Sequence, residues 1–254
     1  IFRIEIIETS RLKHAGDIEV NDFELSQSQQ RAFNDIEKSW EQKKVVLLHG
    51  ETGSGKTNIY INLFKKYIKN GGQALYLLPE IALTTQIIQR LRNSFGDRVG
   101  VYHSRFSDNE RVELWNKVLQ GEYDVIIGAR SALFLPFKNL SMIVVDEEHD
   151  TSYKQFDPAP RYNARDASVI LGQLCNAHVV LGSATPSFES YYNVKTGKYS
   201  LAKLPERFGE LKLPEIEVVD LAEQFKKNKM KAYFSEPLMN KIRQALSDKE
   251  QVIL

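Results

Sequence analysis

The 254-residue sequence contains one cysteine, Cys175, which excludes an intrachain disulfide framework and a cysteine-rich zinc module within it. The balance of 34 basic and 33 acidic residues gives a net charge of +1, so binding of a polyanion would depend on local patches. No apolar run approaches the roughly 20 residues that span a bilayer, and the first residues are unlike a secretion signal. We therefore expect a soluble, cytosolic protein without a membrane partner.

Both ends of the sequence run through apparent secondary structure. The chain opens with an alternation of apolar and polar residues and stops at QVIL, which has the character of a strand start. We interpret the chain as a fragment of a longer protein. Residues 1–22 are expected to be the tail of a preceding region with a linker, and residues 23–205 one large lobe. Residues 206–254 are expected to contain a linker and the truncated start of a second lobe.

Short runs of apolar, often β-branched residues recur along the middle of the chain. They are continuous rather than alternating, which is typical of parallel strands buried on both faces. Because helical patterns separate these runs, the sequence predicts an α/β fold, a doubly wound and mostly parallel sheet with helices on both faces. The predicted strands are 45–49, 74–78, 99–103, 124–128, 142–146 and 178–182.

Apolar residues spaced at helical intervals predict helices over 58–70, 83–95 and 107–119, and another from about Ser235. SDNE at the start of the third helix is a capping box. Trp40 is assigned to the buried face of a further helix. The buried stripe of the third helix is predicted to consist of Val112, Trp115, Val118 and Leu119.

The segment GETGSGKT matches the phosphate-binding pattern G-x-x-x-x-G-K-[ST], between a buried strand and an amphipathic helix. In such a loop, successive backbone N–H groups converge on phosphate oxygens, and the helix adds its positive dipole end. Lys56 is expected to reach the β- and γ-phosphates, and the Thr57 hydroxyl to ligate Mg²⁺. The predicted nucleotide site consists of Gly50, Glu51, Thr52, Gly53, Ser54, Gly55, Lys56 and Thr57.

Three acids and a histidine follow the predicted strand 142–146. A phosphate-binding loop needs a second carboxylate for the metal at the end of a neighbouring strand, and Asp146 is placed for that. Glu147 is then the candidate for polarising the attacking water. Acids at strand ends are also common in ordinary turns, so both roles depend on the phosphate loop. Glu148 has no assignable role, and His103 is interpreted as structural.

The tetrad DEEH at 146–149 and the segment GSAT at 182–185 resemble the DEAH-type Walker B box and the Ser-Ala-Thr motif of superfamily 2 helicases. The resemblance implies that His149, Ser183 and Thr185 link the ATP site to a nucleic-acid site. The alternative is a strand-end histidine bonded locally and a turn before a proline. LSQSQQ at 25–30 resembles the first motif of the superfamily, with Gln29 in the adenine-reading position.

Within that superfamily, five segments resemble the PriA family of replication-restart helicases, in the same order and at similar spacings. The resemblance implies a RecA-like lobe that uses ATP and Mg²⁺, with zinc confined to a C-terminal part outside this sequence. It also implies a winged-helix region before residue 23. The segments are LLPEIALTTQ (77–86), GARSALFLPFKNL (128–140), DEEHDTSYKQ (146–155), RYNARDAS (161–168) and LGSATPS (181–187).

By the same resemblance, the whole protein is expected to be an ATP-dependent 3′→5′ DNA helicase of the bacterial cytoplasm. It would act as a monomer at stalled replication forks and initiate primosome assembly, with single-stranded and forked DNA, primosome proteins and single-strand-binding proteins as partners. The lobe alone is expected to be weakly active or inactive, because arginine fingers, which contribute about 10³–10⁵ in rate, lie outside it. The alternatives are another superfamily 2 DNA translocase and a nucleotide-dependent clamp without turnover.

Contacts with DNA are predicted in the loop 79–84, in the loop 128–131 and in the loop 151–166, although Leu83 and Thr84 are more typical of packing and capping at a helix start. Arg130 and Ser131, after strand 124–128, are expected to contact phosphates, although a solvated arginine or a local ion pair is the alternative. The loop 151–166 resembles the aromatic-rich loop of PriA and RecQ helicases, whose aromatic residues stack on bases; its aromatics could instead tuck against the lobe. Its predicted contacts are Tyr153, Phe156 and Tyr162 with bases, and Lys154, Arg161 and Arg165 with phosphates.

Overall fold

The structure, a computed structural model, describes residues 24–69, 71–103, 105–206 and 216–254. The chain divides into two compact units, residues 1–210 and 211–254. The predicted tail over residues 1–22 lies outside the described residues. No helix in the described ranges is long and apolar enough to cross a membrane.

The first unit is built on a seven-stranded sheet in which every pairing is parallel, in the order β3-β4-β2-β5-β6-β1-β7. All six predicted strands are confirmed, with ends shifted by one or two residues. The seventh was missed because SLAKL lies at the sheet edge and lacks a continuous apolar run. The strands are β1 Val45–Gly50, β2 Gln73–Leu77, β3 Val99–Tyr102, β4 Val125–Gly128, β5 Leu140–Asp146, β6 His178–Ser183 and β7 Ser200–Leu204.

Six helices cover the two faces of this sheet, which confirms the predicted doubly wound α/β fold. Buried side chains of α1, α2 and α3 pack on one face, and those of α4 and α5, with a half-buried one from α6, pack on the other. The helices are α1 Gln27–Trp40, α2 Lys56–Tyr67, α3 Thr85–Phe95, α4 Asp108–Gln120, α5 Ala164–Leu174 and α6 Phe188–Lys195.

The buried stripe predicted for α4 is wrong at three of its four positions. The capping box is present, since the Glu110 carboxylate accepts from Ser107 N at 2.8 Å. However, only Leu114 and Val118 of this helix are buried, whereas Trp115 is 46% exposed. An i, i+4 pair is enough to seat this helix beside the sheet edge, so its neighbouring apolar residues face outward. Trp40 of α1, by contrast, is buried as predicted.

The second unit contains a short helix, a two-stranded antiparallel hairpin and a longer helix. The predicted helix from Ser235 is confirmed, with Ser235 as its N-cap and a proline in its first turn. The short helix and the hairpin were missed in what was interpreted as a linker, and residues 251–254 form no strand. The elements are α7 Leu221–Lys226, β8 Met230–Lys231, β9 Phe234–Ser235 and α8 Glu236–Ser247.

His178, at the start of β6, gives the stability of the first unit a predictable pH dependence. Its ring centroid lies 4.5 Å from that of Trp40 and 4.8 Å from that of Tyr67. Burial, with a smaller contribution from the charge of Lys44, lowers the pKa of His178 to about 4. In the unfolded chain His178 is therefore protonated as the pH falls below about 6.5, whereas in the folded chain it is protonated only near pH 4.

We expect the free energy of unfolding to fall as the pH decreases from about 6.5 to about 4, and His178→Phe to reduce this fall. Because the ring is only partly buried, the difference between the two proteins at pH 5.5 should be about 1 kcal/mol or less. Urea unfolding at pH 7.5 and pH 5.5 measures it. Equal changes for both proteins between these two pH values would contradict the assignment.

Candidate active site

The phosphate-binding loop joins β1 to α2, and its backbone depends on glycine. Gly53 and Gly55 have φ angles of +77° and +81°, in the left-handed region that side chains other than glycine rarely adopt. A Cβ atom on Gly55 would also lie 2.3 Å from Gln29 Nε2. The buried Lys56 amine donates to the Gly50 carbonyl at 2.9 Å and to the Glu51 carbonyl at 3.4 Å. The loop thus holds the lysine beside the backbone that is predicted to bind phosphates.

Gln29 attaches α1 to this loop. Its buried side chain donates from Nε2 to the Ser54 carbonyl at 3.0 Å, and its Oε1 accepts from Ser26 N, also at 3.0 Å. The second bond belongs to a capping box in which Ser26 is the N-cap of α1. Gln29 therefore lies against the nucleotide loop, while its contact with adenine stays a prediction.

Asp146 ends β5 and is held by two tyrosines that the sequence did not single out. The Tyr60 hydroxyl donates to Oδ1 and the Tyr76 hydroxyl donates to Oδ2, each at 3.0 Å. Burial, and then the charge of Glu147, raise the pKa of Asp146, while Lys56 and the two tyrosine donors oppose the rise. Both tyrosines resemble ordinary core residues, one on α2 and one on β2, so periodicity alone gave no sign of this contact.

The Tyr76 hydroxyl also touches the phosphate loop. A hydrogen bond from the Thr57 side chain lowers the pKa of Tyr76, against the dominant effects of burial and of Asp146, which raise it well above its usual value. Thr57 and Asp146, the two predicted magnesium ligands, therefore both influence the pKa of the same tyrosine. Hydroxyl and carboxylate oxygens are the ligands that Mg²⁺ prefers, so the donor set fits this ion.

Glu147 adopts a backbone conformation that is rare for a residue with a side chain. Its φ angle is +47°, and its N–H donates to Asp146 Oδ1 at 3.2 Å. The side chain is 39% exposed, and its Oε2 lies 3.7 Å from His149 Nδ1. Strained backbone of this kind concentrates at functional sites, where the surrounding structure fixes it. The carboxylate is therefore accessible to water beside the buried Asp146.

The structure brings the three predicted linking residues together. His149 Nδ1 lies 2.8 Å from Ser183 Oγ, and His149 Nε2 lies 3.4 Å from Thr185 Oγ1. Thr185 N donates to Ser183 Oγ at 2.9 Å. This contact follows from the pairing of β5 with β6, in which Asp146 lies opposite Gly182. Its role in coupling ATP to nucleic acid stays a prediction.

Glu148 has a structural function that the sequence did not indicate. It is buried, and its Oε1 accepts from Ser187 N at 2.7 Å. Its Oε2 accepts from the hydroxyls of Ser187 and Ser190 at 2.9 and 2.8 Å and lies 3.4 Å from Arg165 Nη1. A carboxylate at this position satisfies the first turn of α6 and complements its dipole. Glu148 therefore joins the DEEH box to α5 and α6.

Residues 26–194 match the DEAD/DEAH box helicase family, and this range covers more than half of the 254-residue chain. The chain belongs to the DEAD/DEAH box helicase family. The motifs that define the site, from Gln29 to Thr185, all lie inside the matched range.

Among curated proteins, the chain is similar to the replication restart protein PriA of several bacteria. It is 40% identical to that of Chlamydia trachomatis over 96% of this chain and 34% of the relative. It is 41% identical to that of Bacillus subtilis and 44% identical to that of Rickettsia felis, over 91% of this chain and 29% and 35% of the relatives. These matches confirm the family resemblance predicted from the motifs, and the chain spans about a third of the length of these relatives.

Two solved structures share the fold. RecG bound to a three-way DNA junction superposes with a TM-score of 0.54 and 21% identity, over 75% of this chain and 25% of RecG. The DUF1998 helicase MrfA bound to DNA gives a TM-score of 0.50 and 18% identity, over 72% of this chain and 27% of MrfA. At this identity the likeness supports the fold alone, and it agrees with the predicted RecA-like lobe.

Two predicted DNA contacts of this DEAD/DEAH box lobe are wrong in this structure. Tyr153 is 1% exposed, and its hydroxyl lies 2.6 Å from the Asp146 carbonyl and 3.1 Å from that of Leu77, so its ring cannot stack on a base. Arg165 is buried too, because Glu148, Asp166 and the Ser187 hydroxyl engage its guanidinium. Both side chains hold the lobe together instead of facing solvent.

The other predicted DNA contacts gather around the loop that follows the DEEH box. Arg130 Nη1 donates to the carbonyls of Ser152 and Lys154 at 3.1 and 3.0 Å, and its guanidinium lies 6.0 Å from the Tyr162 ring centroid. Lys154 Nζ donates to the Arg161 carbonyl at 2.8 Å. Ser131, Phe156 and Arg161 are exposed. Contacts of these residues with DNA stay predictions.

Phe134, which the sequence did not indicate, stacks edge-on with Tyr162, with ring centroids 4.9 Å apart.

The Glu148 contacts predict a clear ranking of stability changes. Glu148→Ala leaves the buried Arg165 with less compensation and removes the acceptor of the Ser187 N–H at the start of α6, so we expect a loss of about 2–4 kcal/mol in the free energy of unfolding. Glu148→Gln keeps the acceptor for Ser187 N and should lose less. Urea unfolding followed by circular dichroism measures both.

The matched control is Asp166→Ala, which removes another acidic partner of the same arginine. The Asp166 side chain is 61% exposed, so this change should cost less than about 1 kcal/mol. Equal losses for Glu148→Ala and Asp166→Ala would contradict the proposed importance of the Glu148 network.

Proposed function

We propose that this chain is the nucleotide-binding lobe of an ATP-dependent DNA helicase of the replication-restart type. The observation that carries the proposal is the convergence of three motifs at the carboxyl ends of adjacent parallel strands. The phosphate-binding loop follows β1, the Ser-Ala-Thr segment follows β6, and the DEEH box follows β5. Family membership and the named relatives support the same reading.

In this proposal the phosphates of ATP bind the backbone of residues 50–57, and the Lys56 amine exchanges the Gly50 and Glu51 carbonyls for phosphate oxygens. Gln29, already bonded to the loop, reads the adenine. Thr57 and Asp146 would hold Mg²⁺, which when bound neutralises charge on the phosphates. The Ser54 hydroxyl, buried and without a hydrogen-bond partner among the described residues, is a further donor available to a phosphate oxygen.

Glu147 acts as the general base in this scheme. Its exposed carboxylate can accept a proton from a water molecule, whereas the neighbouring Asp146 carboxylate is buried and occupied by two tyrosines. His149 contacts both the Glu147 carboxylate and the hydroxyls of Ser183 and Thr185. A change in the charge or position of the carboxylate can therefore be transmitted through the histidine to the Ser-Ala-Thr segment. This arrangement supports the coupling role proposed for the three residues.

The remaining functions belong to the whole protein and follow from the resemblance of the sequence motifs to the PriA family. We propose that it unwinds forked DNA in the 3′→5′ direction, engages single-stranded DNA, and works with primosome and single-strand-binding proteins as a monomer in the bacterial cytoplasm. Zinc would bind in its C-terminal part. Within this lobe, Arg130, Ser131, Lys154, Arg161 and Tyr162 are the proposed DNA contacts.

The test uses the full-length protein and its Glu147→Gln variant, with ATP hydrolysis and unwinding measured on forked DNA. The variant should bind a fluorescent ATP analogue about as tightly as wild type and hydrolyse ATP about 10²–10⁴-fold more slowly, because it lacks the base. Forks with 3′ or 5′ single-stranded arms report the direction of movement. Glu122→Gln, an exposed acid that follows α4, is the matched control.

Three outcomes would count against the proposal. Full hydrolysis by Glu147→Gln would remove the proposed base. Nucleotide binding without turnover by the wild type on any DNA would indicate a clamp, and turnover without unwinding would indicate a translocase.

A further inference from the structure

We propose that Tyr60 and Tyr76 are positioning residues that hold the Asp146 carboxylate in the orientation required to receive magnesium-bound nucleotide. This inference rests on the proposed function, because it concerns the same nucleotide site. Tyr60 and Tyr76 are core residues that lie outside the phosphate-binding loop, the DEEH box and the Ser-Ala-Thr segment.

The Asp146 carboxylate is held by a tyrosine hydroxyl on each of its two oxygens. The two hydroxyls come from different elements, α2 and β2, and each donates to a different oxygen of Asp146 at 3.0 Å. Two donors on opposite oxygens fix the rotation of the carboxylate plane, which a single donor would leave free. Each carboxylate oxygen has two acceptor positions. Glu147 N takes the second position of Oδ1 at 3.2 Å, so Oδ2 keeps one position for magnesium or its water.

The structure also makes room for two buried hydroxyls at positions where phenylalanine would fill the core equally well. Both tyrosines are fully buried, and burying a hydroxyl costs free energy unless it finds a partner. A Cβ atom on Gly182 of β6 would lie 1.8 Å from the Tyr60 hydroxyl and 3.2 Å from Asp146 Oδ1. The glycine therefore leaves the space that the Tyr60–Asp146 pair occupies.

The two tyrosines also hold each other in place. The ring centroids of Tyr60 and Tyr76 lie 5.7 Å apart in an edge-on contact, which fixes the two hydroxyls relative to each other. The two donors to Asp146 are thus arranged by the protein before nucleotide arrives.

The experiment measures binding of a fluorescent, non-hydrolysable ATP analogue to the full-length protein across a range of Mg²⁺ concentrations, and again in EDTA. Tyr60→Phe and Tyr76→Phe remove one hydroxyl each and keep the ring. Since a hydrogen bond to a charged group contributes about 1.5 kcal/mol or more, the Mg²⁺ concentration for half-maximal binding should rise roughly tenfold in each variant. Affinity in EDTA should stay at the wild-type value.

Tyr67→Phe is the matched control, because Tyr67 lies on the same helix but packs on Trp40, away from Asp146. It should leave both measurements unchanged. The double variant Tyr60→Phe/Tyr76→Phe should need more Mg²⁺ than either single variant.

The possible failures are distinguishable. If the wild type shows no magnesium-dependent nucleotide binding, the proposed function fails. If the wild type shows it and both phenylalanine variants have an equal or lower magnesium requirement, the positioning role is overturned. Equal losses in EDTA and in magnesium would assign the hydroxyls to the fold alone and would also overturn it.

Discussion

The parallel adjacency of β1, β6 and β5 is the constraint on which the rest of the site depends. Chains that enter these strands from the same side must leave them at the same edge, so the segments that follow all three strands gather there. Register then sets the fine positions, since His49 pairs with Ser183 and Asp146 pairs with Gly182. A shift of one residue in either ladder would turn the linking hydroxyl or the carboxylate to the opposite face of the sheet.

The consecutive acids of the DEEH box illustrate how one short segment can serve separate purposes. Asp146 faces the two tyrosines, Glu147 is half-buried with its carboxylate accessible, and Glu148 is buried beside the start of α6. The left-handed backbone at Glu147 makes this divergence possible, because it breaks the strand's alternation immediately after Asp146. Glu148, anchored by Ser187, Ser190 and Arg165, and Asp146, anchored by the Tyr60 and Tyr76 hydroxyls, hold the strained residue from both sides.

Sequence reasoning recovered those features that rest on local rules. The continuous apolar runs gave six of the seven strands in the sheet of the first unit, and the glycine-rich segment gave the loop between β1 and α2, because both depend on short segments. It failed where a side chain's task is set by tertiary partners. Tyr153 and Arg165 have the chemistry of DNA contacts, but both are buried. The Tyr153 hydroxyl is bonded to two backbone carbonyls, and the Arg165 guanidinium is bonded to the carboxylates of Glu148 and Asp166. The same limit hid Tyr60 and Tyr76, whose spacing along α2 and β2 is that of any core residue.

Burial of Tyr153 also changes how the loop behind the DEEH box relates to the nucleotide site. The Tyr153 hydroxyl lies 2.6 Å from the carbonyl of Asp146, the residue that ends β5, so the loop is attached to the backbone of the proposed metal ligand. Arg130 holds the next turn through the carbonyls of Ser152 and Lys154. The exposed part of the loop, with Phe156 and Arg161, extends beyond these anchors. A displacement of the exposed loop residues would therefore be transmitted to the end of β5 through these hydrogen bonds, without direct contact between the exposed residues and the nucleotide site.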